Sequence, residues 1–222
     1  MEISKICLTI LAALSISGCG VFKNSNDPTL RTLASSVDTI FVLKNSKQNP
    51  PNVRKILNEE FLENLDQPAL FAEMNNGKAA LLTKFPGYNR FETWIAPDGV
   101  TFAFDGNNLK GTRGLGFDLM SSVGSIDLAR VNENVEYLRT MTWLISDNQL
   151  MSETFQCRSV NSTDNPLLPV IDFAHGSPTV REICKSNESS FENIFVIGPS
   201  GRTKHSYQYV SPELGSIYLE FL

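Results

Sequence analysis

Apolar residues along the chain change their period once. From Val53 to Leu65 they recur at three- and four-residue steps (Val53, Ile56, Leu57, Phe61, Leu65). This predicts the longest helix of the protein, with Pro50-Pro51-Asn52 ahead of it and Asp66-Gln67-Pro68 as its stop. A shorter helix is expected at Thr29–Ser36, from Leu30, Leu33 and Ala34, and a strand at Thr39–Leu43. Beyond Pro68 the period falls to two. Strands are expected at Ala69–Met74, Ala79–Phe85, Phe91–Ile95, Val100–Phe104, Leu109–Thr112, Val135–Ile145 and Glu153–Arg158. Further ones are expected at Leu168–Phe173, Thr179–Lys185, Asn193–Gly198, His205–Val210 and Ser216–Phe221. Turn residues separate them, among them Asn75-Asn76-Gly77, Pro97-Asp98-Gly99, Asp105-Gly106-Asn107, His175-Gly176 and Pro199-Ser200-Gly201. Asn132-Glu133-Asn134 and Ser159–Asn165 are expected to be loop insertions. The fold class is therefore mainly β: an antiparallel meander forming a sandwich or a curled, barrel-like body, with one or two short helices near the N-terminus.

The first twenty residues follow different rules. Lys5 precedes the apolar run Ile6–Ile16, which is signal-peptide length and too short to span a bilayer. Ile16-Ser17-Gly18-Cys19 then matches a bacterial lipobox. The small residues admit the peptidase to the bond before Cys19, and the Cys19 thiol is the nucleophile that takes the lipid. The expected organisation is residues 1–18 as lipoprotein signal peptide, 19–28 as lipidated tether and 29–222 as a single β-rich domain. The mature chain would then hold 222 − 18 = 204 residues. Gly20, where an Asp would retain a lipoprotein in the inner membrane, favours an outer-membrane location, lipid-anchored and facing the periplasm. Several acyl chains, palmitate among them, would make such an anchor durable.

Charge and cysteines narrow the classes. Lys plus Arg against Asp plus Glu give 19 − 24 = −5 with no basic block, which argues against nucleic acid as a partner. With 41% hydrophobic and 19% charged residues, the chain can bury a substantial core. Once Cys7 leaves with the signal and Cys19 carries lipid, Cys157 and Cys184 remain, an even pair expected to form a disulfide in an oxidising compartment.

Catalytic patterns are not assembled. Val123-Gly124-Ser125-Ile126-Asp127 lacks the last glycine of a nucleophile elbow, and the glycines of Gly111–Gly116 sit in a β context rather than before a helix. Asp98 and Asp105 fall at turns, where their side chains serve the backbone. The two histidines, His175 and His205, lack metal-ligand spacing. No cofactor, metal site or enzymatic role is expected. Trp94, Trp143, Tyr207 and Tyr209 are candidate glycan contacts, with core packing as the commoner fate of such rings.

A family resemblance rests on particular residues. Thr93-Trp94-Ile95-Ala96-Pro97-Asp98-Gly99 is followed by Gly111-Thr112-Arg113-Gly114-Leu115-Gly116-Phe117-Asp118-Leu119. This resembles the block of YjbF/GfcB-type lipoproteins in which a tryptophan strand and a D-G turn precede a T-x-G-L-G-x-D-L segment. Phe155-Gln156-Cys157, Glu182-Ile183-Cys184, Phe191-Glu192-Asn193 and Tyr207–Gly215 look similar too, whereas Phe195-Val196-Ile197 stands where a tryptophan is expected. The resemblance implies an outer-membrane lipoprotein, a non-catalytic accessory in capsule or exopolysaccharide production whose partners are other secretion proteins or the glycan. A periplasmic carrier for lipid or lipoprotein, with an apolar β cavity, is the alternative. A polysaccharide hydrolase is a third reading.

Overall fold

The computed structural model describes residues 57, 59–86, 91–128, 136–162 and 177–222. The expected helix is represented there by a single turn-and-a-half, α1 (Glu59–Glu63). Its predicted start, the elements at 29–36, 39–43 and 168–173, the loop at 132–134, His175 and the lipobox with Cys19 lie outside the described residues.

Among the described residues twelve antiparallel strands follow: β1 (Ala69–Met74), β2 (Ala79–Lys84), β3 (Glu92–Ile95), β4 (Thr101–Asp105), β5 (Asn108–Arg113) and β6 (Leu119–Val123). The second half comprises β7 (Glu136–Leu144), β8 (Leu150–Ser162), β9 (Thr179–Lys185), β10 (Ser190–Ile197), β11 (Thr203–Ser211) and β12 (Gly215–Phe221). They form one sheet in the order β5-β4-β3-β2-β1-β12-β11-β10-β9-β8-β7-β6, a nearly closed barrel. The first and last strands pair in mid-sheet, with Leu70 opposite Phe221 and Met74 opposite Ile217.

Two expectations change. β6 did not read as a strand because its sequence, LMSSV, offers little β-branched or aromatic signal. Ser159–Ser162, expected to begin a loop, extends β8: Ser159 pairs with Glu182 and Ser162 with Thr179 on β9. Cross-strand pairing overrides the polar composition there.

The period of two aims alternate residues inward. Leu70, Ala72, Leu82, Trp94, Phe102, Phe104, Leu109, Leu119, Met141, Trp143, Phe155, Ile217 and Leu219 pack into one cluster. Each large side chain so buried contributes about 1.5 to 3 kcal/mol. Polar groups tie the interior together. The Trp143 Nε1 donates to the Val210 carbonyl at 2.6 Å, and the Leu109 N–H donates to Gln208 Oε1 at 2.9 Å, linking β5 to β11 across the body. The outer face of β1, β11 and β12 is buried as well, so that Phe71, His205 and Glu220 have no exposed surface.

Closure between β5 and β6 is made by side chains. The Asn108 Nδ2, Lys110 Nζ and Arg113 Nη1 donate to the carbonyls of Ile126, Gly124 and Leu119 at 3.2, 3.1 and 3.1 Å. The Leu119 N–H donates to Thr112 Oγ1, whose hydroxyl donates to Asp118 Oδ1 at 2.9 Å. Asp118 also accepts from the N–H groups of Gly114 and Leu115. The T-x-G-L-G-x-D-L segment is thus the clasp of the barrel. Register shifts in the β4–β5 and β6–β7 pairings flank this seam, the kind of irregularity that bends and twists a strand locally.

Candidate functional site

Strands β7, β8 and β9 present their outer face to solvent. Residues at even positions of β7 and β8 point outward and lie opposite one another: Glu136 with Arg158, Leu138 with Gln156, Thr140 with Thr154, Thr142 with Ser152. The hydroxyls of Thr140 and Thr154 bond at 2.9 Å, those of Thr142 and Ser152 at 2.8 Å, and Gln156 Nε2 donates to Glu136 Oε2 at 2.9 Å. Nine residues of β7 at about 3.4 Å per residue make this a polar strip about 30 Å long. At one end it enters a groove of about 500 Å³ lined by Glu136, Leu138, Thr154, Gln156, Arg158, Ile183, Lys185, Ser186 and Asn187, with Cys157 in its floor.

The floor is fixed from within. Cys157 and Cys184 face each other in register and form the disulfide, with S–S 2.01 Å and Cα atoms 4.1 Å apart. Beneath it, Glu182 accepts from Arg139 Nη1 through both carboxylate oxygens at 2.7 and 2.6 Å, and also from Tyr137 and Asn193. Burial and the Glu182 carboxylate push the Tyr137 phenol well above its ordinary value, so it stays a donor. The Arg139 Nε donates to Ser122 Oγ at 2.9 Å, carrying the network to β6. Inward charge and outward hydroxyls alternate along the same strands, so a rigid interior positions the exposed strip.

The aromatic candidates lie elsewhere. Trp94 is 4% exposed and meets Phe221 edge-on at 5.7 Å, and Trp143 is fully buried between Phe155 and Tyr209. Neither indole offers a face to solvent. Tyr209 stacks on Phe191 at 4.5 Å, and burial, with Glu153 and Glu213 adding, raises its phenol to about 12. Tyr207 instead donates to Asn75 Oδ1. The Asn193 side chain takes the Tyr209 N–H, and the two tyrosines serve different neighbours. Asp98 accepts from the Val100 N–H at 3.2 Å, as a turn residue does.

The strip itself went unread in the sequence, although its signal is there: Ser152, Thr154, Gln156 and Arg158 alternate with Met151, Glu153, Phe155 and Cys157.

Comparison with known proteins supplies the context. No curated protein matches the chain. A crystal structure of the hypothetical lipoprotein YmcC from Escherichia coli K12 superposes with a TM-score of 0.63 at 15% identity, over 90% of this chain and 96% of that one. At that identity the likeness is one of fold. The model of the YjbF family, described as group 4 capsule polysaccharide lipoprotein gfcB, matches residues 31–222, and with most of its length so matched the chain belongs to that family.

Proposed function

We propose that this protein is an outer-membrane lipoprotein, anchored through Cys19 and facing the periplasm, that serves capsule or exopolysaccharide production without catalysing a reaction. It acts by offering the outer face of β7–β9 to the glycan. The observation that carries this reading is the exposed hydroxyl and amide strip leading into the groove around Gln156, an extended polar surface that suits an extended polyhydroxyl chain. The family description and the lipobox support the setting. Among the described residues the interior is filled by Trp143, Phe155, Phe104 and their neighbours, which supports a glycan-facing exterior over an apolar carrier cavity.

Deleting the gene is the test. Reduced surface polysaccharide, restored by the wild-type chain but not by Cys19→Ala or by Thr154→Ala with Gln156→Ala at equal protein level, is the expected result. Unaltered polysaccharide after deletion removes the reading. Incubation with the purified polysaccharide should leave its chain length unchanged; shortening would make the protein a hydrolase.

A further inference from the structure

The groove holds an unequal set of charges. Arg158 and Lys185 both project into it, while Glu136 is the sole carboxylate among the described lining residues. Glu136 stands opposite Arg158 in register, yet its carboxylate accepts from Gln156 Nε2 instead. Among the described residues neither Arg158 nor Lys185 is paired with an acid. Among the described lining residues the cations thus outnumber the carboxylates by one in a chain of net charge −5, and the Glu153 carboxylate at the groove's edge is engaged by the hydroxyls of Ser186 and Ser189.

The two cations are placed to act together. Arg158 lies opposite Ile183, and Gln156 lies opposite Lys185, so Arg158 and Lys185 are diagonal neighbours on one face, about 7 to 8 Å apart at Cα. Both side chains are exposed, and their strands are locked by the disulfide one residue before each of them. A guanidinium presents a planar fork that matches a carboxylate through two parallel N–H donors, and an ammonium supplies a second, adaptable point charge. Thr154, Gln156 and Asn187 supply neutral hydrogen-bonding groups beside them.

We infer that the groove selects an anionic glycan, one whose sugar units carry carboxylates, with Arg158 and Lys185 as the specificity-determining residues. This rests on the reading that the β7–β9 face meets glycan and adds which chemical class it takes. The exposed hydroxyl pairs of Thr140–Thr154 and Thr142–Ser152 contact the polymer backbone, and the cation pair reads its charge.

The test uses the intact chain in neutral detergent micelles, titrated with alginate oligosaccharides as the carboxylate probe and dextran oligosaccharides of equal length as the neutral one. Alginate should bind more tightly, and less so as salt rises. Arg158→Gln with Lys185→Gln should lower alginate affinity tenfold or more and dextran affinity by a much smaller factor. Arg158→Lys, which keeps the charge and loses the planar fork, should fall between wild type and the double substitution, and Glu136→Gln should raise the affinity. Equal affinity for both polymers, or alginate binding indifferent to the double substitution, overturns the inference while leaving a glycan-binding face in place. Binding of neither polymer overturns that face as well. Anionic phosphatidylglycerol vesicles that bind through Arg158 and Lys185, where alginate does not, overturn it in favour of a membrane surface.

Discussion

The Nη1 of Arg139 donates to both carboxylate oxygens of Glu182, and the two side chains are 2% and 0% exposed. A buried pair of this kind is costly to break and cheap to replace, because the penalty falls on whichever charge is left alone. Arg139→Met or Glu182→Met alone should each lower unfolding free energy by about 3 to 5 kcal/mol. The double substitution should cost less than either single one. Urea denaturation of the four proteins measures the coupling; additive losses would show that the pair does not act as a unit.

His205 makes stability depend on pH. It is fully buried; burial lowers its pKa below the ordinary 6.5, with Lys204 acting in the same direction and Glu220, 3.7 Å away, acting against it. The unfolded chain therefore takes up a proton at a higher pH than the folded one. The contribution is complete above pH 6.5 and is lost as pH falls below it, with a slope of at most about 1.4 kcal/mol per pH unit. Melting curves between pH 8 and 5 should show this fall, and His205→Gln should flatten it. Equal slopes in both proteins would exclude His205 as the source.

The disulfide closes a sequence separation of 27 residues. On the chain-entropy model, Cys157→Ser with Cys184→Ser should cost about 3 to 4 kcal/mol. Because both sulfurs are buried, native protein should give no thiol labelling at these positions until unfolded in reductant. Labelling of either cysteine in protein taken directly from cells would contradict the pairing.

At the seam, Gly124 has φ +82°, and a Cβ there would lie 2.2 Å from the Leu138 carbonyl oxygen, part of the backbone. At Gly77, φ +79°, a Cβ would meet nothing within 4 Å. Gly77→Ala should cost only the left-handed strain, about 1 to 2 kcal/mol, and Gly124→Ala distinctly more. Asp118→Ala, which strips a partner from Thr112, Gly114 and Leu115, should cost about 2 to 4 kcal/mol. Thermal unfolding ranks all three, and limited proteolysis should report early cleavage near residues 113–118 in the Asp118 variant.

Much of the fold was legible because local rules and tertiary structure agree: β1 and β9 begin and end where alternation and turn residues place them. Where they disagree, the long-range ladder prevails. Ser159–Ser162 reads as loop and forms strand because β9 lies alongside. The pairing of Cys157 with Cys184 followed from counting, but its place beneath the groove did not. Trp143 illustrates the other limit: sequence marks it as an aromatic in a strand, whereas its burial depends on Phe155, Tyr209 and the Val210 carbonyl, contributed by two other strands. The exposed strip was hidden because Thr, Ser and Gln carry little pattern signal until their neighbours across the strand are known.

The pairing of β1 with β12 has a consequence for how the molecule comes into being. A chain delivered N-terminus first can zip the hairpins of β1–β5 and then those of β6–β11 in turn, yet β1 must wait with one edge bare until the seven-residue β12 arrives. Joining of the two halves of the sheet thus waits for β12, and a chain truncated shortly before residue 215 would present an unpaired edge to whatever surrounds it.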